Sequence, residues 1–320
     1  IPLPQLDGGG AGRPRPSDPG RRRFMQLSGV ALAAAAAPKS VARAERGHGD
    51  GLDEDRMGVL VDLTLCVGCR RCEWACNEAN GQPNKPLEAF DDQSVMDERR
   101  RPQPEQLTVV NRAPMREGEE TPLHFKVQCM HCEKPPCVSA CLVGALEKHP
   151  DGPVTYDASK CIGCRYCMVA CPQQLLSYEY DEALTPRVRK CELCRERTHA
   201  GGIPACVEIC PVEALVFGKR SDLLAMAHER ISRHPDRYID HVYGETEAGG
   251  SSWLYLSDRP FSELGFPELG PNSPANVTET IQHGIFKGFA APLLLGGLLL
   301  TLKRLTSSDH PDPAEMAGSE

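Results

Sequence analysis

Residues 161–172 read Cys161-Ile162-Gly163-Cys164-Arg165-Tyr166-Cys167-Met168-Val169-Ala170-Cys171-Pro172, a C-x2-C-x2-C-x3-C-P run. The same spacing, without the proline, recurs at Cys66, Cys69, Cys72 and Cys76. Two further quartets differ from it in one gap. Cys129, Cys132, Cys137 and Cys141 place four residues between the second and third cysteine, and Cys191, Cys194, Cys206 and Cys210 place eleven there before ending in Pro211. The four quartets use all 16 cysteines of this 320-residue chain and leave none over.

The spacing has a mechanical meaning. Three thiolates separated by two residues each lie on one tight loop, so their sulfurs converge on three iron corners of a single cubane while backbone N–H groups point at its sulfides. The C-x2-C-x2-C-x3-C-P run holds [4Fe-4S] clusters in bacterial ferredoxins, where the fourth cysteine ligates the neighbouring cluster. That cysteine stands about one helical turn beyond the third and so faces another site. Each quartet then serves two sites, the quartets work in pairs, and four quartets predict four [4Fe-4S] clusters. A disulfide framework belongs to small loop-rich domains and does not call for repeated CxxC with CxxxC. A zinc ribbon needs only two Cys-x2-Cys pairs and no third and fourth cysteine at these offsets. Asn77 and Leu142 stand where Pro172 and Pro211 follow the other last cysteines, a local departure in backbone rather than in ligands.

Composition supports a loop-rich chain. The hydrophobic share of 40% includes the cysteines and two apolar terminal segments, and only 8 Phe, 2 Trp and 7 Tyr stand against 29 Gly and 28 Pro. Little remains for an ordinary core, so folding energy is expected to come largely from metal ligation, and cluster removal is expected to unfold the chain. Residues 1–44 carry a net +5 within a chain of −8, leaving −13 for the rest. A protein so acidic is a poor candidate for nucleic acid.

The two ends read as addresses. Arg21-Arg22-Arg23-Phe24-Met25-Gln26, the small-residue stretch Leu27 to Ala37 and the A-x-A site Ala42-Arg43-Ala44 are similar to a twin-arginine export signal over 1–44, with Gly20 where Ser or Thr is usual. That route carries folded proteins, so metal would occupy the thiolates before export. Ile285 to Leu302 is apolar except for Lys287 and would span roughly 27 Å as a helix, close to the ~30 Å hydrocarbon core. Lys303-Arg304 follow it, so a transmembrane anchor over 281–305 would place an acidic tail, 306–320, in the cytoplasm and the cysteines on the periplasmic side.

Between the ends, Met57 to Asp62, Leu123 to Val127, Pro153 to Tyr156 and Ser177 to Tyr180 are strand candidates beside the four quartets. Residues 80–120 are rich in proline, carry the run Asp97-Glu98-Arg99-Arg100-Arg101, and read as a solvated inserted loop. Ser221-Asp222 would cap a helix from Leu223 to about Ser232. The expected domains are 45–128 (quartet one and the insert), 129–180 (quartets two and three), 181–220 (quartet four) and 221–280 (a helix and an extension toward the membrane). His131, between two cysteines, is expected on the loop surface, and His283 at the membrane boundary as an interfacial or capping group. Arg165-Tyr166 is expected to shape a potential or touch a partner. No phosphate loop, hydrolytic or hydride-transfer constellation is present, so no catalytic residue is assigned.

Thr64-Leu65-Cys66-Val67-Gly68-Cys69, Gln128-Cys129-Met130-His131-Cys132, Cys164 to Pro172, Lys190-Cys191-Glu192-Leu193-Cys194, Tyr243-Gly244-Glu245 and Ile281-Gln282-His283 with Lys287-Gly288 together carry a resemblance. The chain resembles, over about residues 20–305, the four-cluster electron-transfer subunits of membrane-bound respiratory oxidoreductases. That family includes the beta subunits of formate dehydrogenase, dimethyl sulfoxide reductase and nitrate reductase, and the likeness is greatest to its hydrogenase-2 type. The resemblance implies an α+β chain of two ferredoxin-like dicluster domains with crossed ligation, plus a C-terminal transmembrane helix. It implies four ligand sets: Cys66, Cys69, Cys72 with Cys210; Cys76 with Cys191, Cys194, Cys206; Cys129, Cys132, Cys137 with Cys171; and Cys161, Cys164, Cys167 with Cys141. Some relatives replace one cysteine of the second quartet and hold a three-iron cluster; here all four are present. The implied partners are hydrogenase small and large subunits, or alternatively a molybdopterin catalytic subunit, together with an integral membrane quinone-reactive subunit.

Overall fold

Val59-Leu60-Val61 sends successive side chains to opposite faces, and both faces are buried. In the computed structural model, which describes residues 56–306, this segment begins an alternation of short strands and helices. In chain order the elements are β1 (Met57–Asp62), α1 (Arg71–Ala79), β2 (Thr108–Arg112), β3 (His124–Gln128), α2 (Pro136–Ser139), β4 (Leu146–Lys148), β5 (Val154–Tyr156), α3 (Tyr166–Ala170), β6 (Ser177–Tyr178), β7 (Val188–Arg189), α4 (Arg195–His199), α5 (Ala205–Glu208), β8 (Leu215–Lys219), α6 (Arg220–Arg233), β9 (Trp253–Leu256) and α7 (Ala275–Thr306). Residues 56–282, which hold every cysteine, form one compact unit, and residues 283–306 belong to a second. The expected export signal and the tail beyond residue 306 lie outside the described residues.

One sheet has the order β8-β1-β9, with β8 antiparallel and β9 parallel to β1, and three two-stranded pairs join β2 to β3, β4 to β5 and β6 to β7. Val59, Val61, Trp253 and Tyr255 point to one face of the three-stranded sheet and pack with Phe125, Phe261 and Phe266. Leu60, Leu254 and Leu256 point to the other and meet Leu223, Ala227 and Ile231 of α6. The second cluster contains no cysteine, so the apolar core is larger than composition suggested. A smaller core of Cys137, Val138, Leu146, Val154, Cys167, Leu176 and Val188 supports quartets two and three.

The four expected strands are present as β1, β3, β5 and β6, the last two shorter by a residue or two than read from sequence. Other expectations need correction. The 80–120 insert is a solvated loop only in part: most of its residues are exposed, but it supplies β2, paired along its length with β3, and buries Phe90, Met96, Val109 and Val110. Within its charge run, Arg100 turns inward to Glu73. Helix α6 starts at Arg220 behind Lys219, which makes no side-chain cap, so Ser221 and Asp222 lie in the first turn rather than before it. The segment after α6 does not simply extend outward; β9 returns beside β1, with Trp253, Leu254, Tyr255 and Leu256 all fully buried.

Helix α7 is continuous across Pro292. Among the described residues no helix is long and apolar enough to cross a membrane. The side chains of 285–287 and 289–291 and of His283 lie outside the described residues, and the remaining apolar run, 292–302, amounts to about 16 Å of helix against a core of ~30 Å.

Candidate iron-sulfur centre

Quartets one and three are the same local structure built twice. Asp62 and Asp157 each close a single turn through their side chains, accepting from Thr64 N–H at 3.1 Å and Ser159 N–H at 2.9 Å. The chain then presents Cys66 or Cys161, turns through Gly68 (φ 71°) or Gly163 (φ 70°), and enters a helix from Arg70 (φ 58°) or Arg165 (φ 59°). The left-handed glycines are needed for the turn, and at Gly68 a Cβ would also collide with the His124 ring. Quartets two and four form a second repeat. Pro135 and Pro204 precede the short helices α2 and α5, which carry Cys137 and Cys206 and end at Ser139 and Glu208, two residues before Cys141 and Cys210.

The folding of these repeats leaves all sixteen thiols free and brings thiols of different quartets beside one another. Burial pushes the Cys66 thiol up to about 11; the Gly68 N–H opposes the rise, while Cys69 and Cys210 add to it. Cys72 at the start of α1 is raised by burial, with Cys66 and Cys206 among its neighbours. Cys76 is pushed up to about 12 by burial, then by Cys206 and Cys194, and the buried Cys191 has Cys76, Cys194 and Cys206 beside it. Cys132 rises to about 12 through burial and then Cys171 and Cys129, and the same two thiols lie beside Cys137. Cys167 reaches about 12 through burial and then Cys141, Cys161 and Cys164. Cys164 is the one exposed thiol.

Two sets of these thiols border small cavities. One is lined by Cys76, Cys191, Cys194 and Cys206 with Lys126 and Trp253. The other is lined by Cys129, Cys132, Cys137 and Cys171 with His131. Among the described residues no three His, Cys, Asp or Glu side chains close around a single ion; in these two sets the residues border a cavity instead. Backbone N–H groups already point at sulfur, from Ala145 to Cys141 at 3.2 Å, Leu193 to Cys191 at 3.3 Å and Gly163 to Cys161 at 3.4 Å. Soft thiols drawn together from separate segments, several of them with backbone N–H donors aimed at the sulfur, suit an iron-sulfur cluster.

His131 is not a surface residue. It is fully buried, and its Nδ1 accepts the Val154 N–H at 2.8 Å, which leaves the proton on Nε2. Burial, with Lys190 and Lys148 nearby, keeps its pKa well below the usual histidine value, so the ring is neutral. Arg165 holds its guanidinium over the rings of Tyr178 and Tyr180, while Tyr166 remains partly exposed. Sequence reasoning missed Lys126, Lys190 and Tyr255, all buried near thiols. The one available signal for Lys126 was a lone lysine amid apolar residues in the strand that runs into Cys129.

Comparison with known proteins agrees with this geometry. Two models described as 4Fe-4S dicluster domains match residues 65–145 and 121–220. The chain is 51% identical over 299 residues to a protein of Nitratidesulfovibrio vulgaris (strain Hildenborough), covering 92% of this chain and 80% of that one. It is 35% identical over 326 residues to the hydrogenase-2 operon protein HybA of Escherichia coli O157:H7, covering 91% and 97% respectively. It is 31% identical over 256 residues to the iron-sulfur subunit of the nitrate-inducible formate dehydrogenase of Escherichia coli K12, covering 77% and 82%.

Proposed function

The chain belongs to the iron-sulfur electron-transfer subunits of respiratory oxidoreductases, and on that premise we propose that it relays electrons between a [NiFe] hydrogenase and a quinone-reactive membrane subunit. The grouping of its thiols carries the reading: four sets, each drawing cysteines from two quartets, supply ligands for four [4Fe-4S] clusters. Cys66, Cys69, Cys72 and Cys210 hold the first; Cys76, Cys191, Cys194 and Cys206 the second; Cys129, Cys132, Cys137 and Cys171 the third; Cys141, Cys161, Cys164 and Cys167 the fourth. A bound cluster supplies a one-electron couple whose potential depends on hydrogen bonding and exposure.

The chain's own residues set the order. Cys72 and Cys206 are neighbours across the first two sets. Tyr255 stands beside Cys191, Cys206 and Cys129, which bridges the second set to the third. Cys137 and Cys167 share one core, linking third to fourth. The line ends at exposed Cys164, beside Ile162 and Val169, which are also exposed, and this end is suited to receive a redox partner.

Hydrogenase is preferred over formate dehydrogenase because the likeness to HybA covers 97% of that protein at 35% identity, and because the chain carries both a twin-arginine-like segment and a C-terminal apolar helix. The same two segments support a place on the periplasmic side of the cytoplasmic membrane, anchored through the helix whose last turn carries Lys303 and Arg304. Metal analysis of the detergent-extracted complex, purified through a tag on this chain, tests the assignment. Nickel co-purifying with iron is expected; molybdenum or tungsten without nickel would instead make it a formate dehydrogenase-type beta subunit.

A further inference from the structure

Lys126 lies on β3 with 2% of its surface exposed. Its ammonium donates to Thr108 Oγ1 at 2.6 Å and to Gln128 Oε1 at 2.9 Å, and it sits 4.6 Å from the centre of the Trp253 ring. All three partners are neutral. A buried ammonium with only neutral partners ordinarily gives up its proton. Here burial pushes the pKa down, but Cys206, Cys72, Cys191 and Cys76 outweigh it and hold the lysine above its usual value. Three of those four thiols line the same cavity as Lys126 itself. The charge that answers this cation is therefore the charge of the cluster site.

We propose that Lys126 is a potential-setting residue: its fixed positive charge raises the reduction potential of the cluster held by Cys76, Cys191, Cys194 and Cys206 above what four thiolates in a neutral pocket would give. This rests on the cluster reading above. Reduction adds one electron, and so one negative charge, to a site that is already anionic, and a cation held beside it favours the reduced form over the oxidised one. Trp253 and Thr108, both buried, line the same small cavity, so solvent screens the interaction weakly. Cys72, of the adjoining set, feels the same charge, so the neighbouring potential moves in the same direction.

The test is a dithionite titration of the full-length loaded protein, followed by electron paramagnetic resonance, for wild type, K126M, K126Q and K126R, with iron and sulfide measured on each. K126M removes the charge and keeps the length; K126Q keeps a hydrogen-bonding head for Thr108 and Gln128 should the first variant load poorly. The expected result is that one midpoint falls in a neutral variant by at least a tenfold change in the redox equilibrium, about 59 mV for one electron, with a smaller fall in one neighbour. K126R is expected to stay nearer wild type. Unchanged midpoints in a fully loaded neutral variant would overturn the proposal. So would loss of one cluster's iron from both neutral variants, because the lysine would then serve assembly rather than potential. A wild-type protein without iron-sulfur signals would instead overturn the underlying cluster reading.

Discussion

Glu73 offers a sharp test of how the insert is tied to the cluster-bearing helix. It is fully buried on α1, between Cys72 and Cys76. Its carboxylate accepts from Arg70 Nε at 3.2 Å and Nη2 at 3.0 Å, from Gln106 Nε2 at 2.6 Å, from the Val110 N–H at 2.6 Å, and from both terminal nitrogens of Arg100. E73A leaves Arg70, itself buried, and the partly buried Arg100 without their anion. Removing one member of a buried ion pair destabilises by about 3–5 kcal/mol, and the orphaned Val110 N–H adds to that without simple additivity. E73Q keeps the shape and should fall between wild type and E73A. Because a cluster-bearing protein does not unfold as a clean two-state system, the assay is the rate of cluster bleaching in guanidinium, read by visible absorbance. E73A should bleach at clearly lower denaturant than wild type. If it matched a surface control such as E229A, the reasoning from this network would be refuted.

Three further outcomes follow from the same geometry. C164A, at the exposed thiol, should disturb only the set completed by Cys141, Cys161 and Cys167, so that titration shows three unaltered clusters; a loss instead from the set of Cys129, Cys132, Cys137 and Cys171 would contradict the grouping. Stripping the iron should release residues 129–190 to rapid hydrogen exchange, because their core contains two of the cysteines, while β1, β9 and α6 keep protection through a core with none; uniform loss of protection would refute this. In the iron-free protein Cys66 and Cys76 are raised by burial to about 11 and about 12, so the stability they lend is intact below their ordinary value of 9.0 and disappears as pH climbs through those figures. Trp253 emission should therefore change across that alkaline window in the iron-free protein and hold steady in the loaded one, where the thiolates are already deprotonated; equal behaviour of the two forms would count against the assignment.

The cysteine loops were legible because their spacing is itself geometry: two residues between thiols fix a turn, and Gly68 and Gly163 supply its left-handed step at matching places. The strand β1 was legible through its period of two. The return of β9 was not, because Trp253-Leu254-Tyr255-Leu256 is apolar at every position and carries no alternation when both sheet faces are covered. Arg100 read as part of a solvated charge run and Lys126 drew no reading of its own, since nothing local in sequence reveals a carboxylate 27 residues away or thiols from three other segments. His131 misled for a related reason: a polar residue between two ligands looks solvent-facing until the start of β5, at Val154, packs against it.

The four-cluster reading meets its most direct test in iron and acid-labile sulfide counted per chain, on protein loaded anaerobically and then titrated under electron paramagnetic resonance. Four cubanes correspond to about sixteen of each and four one-electron steps. Zinc in place of iron, or iron for two clusters only with the remaining cysteines alkylated by iodoacetamide in the native state, would contradict it.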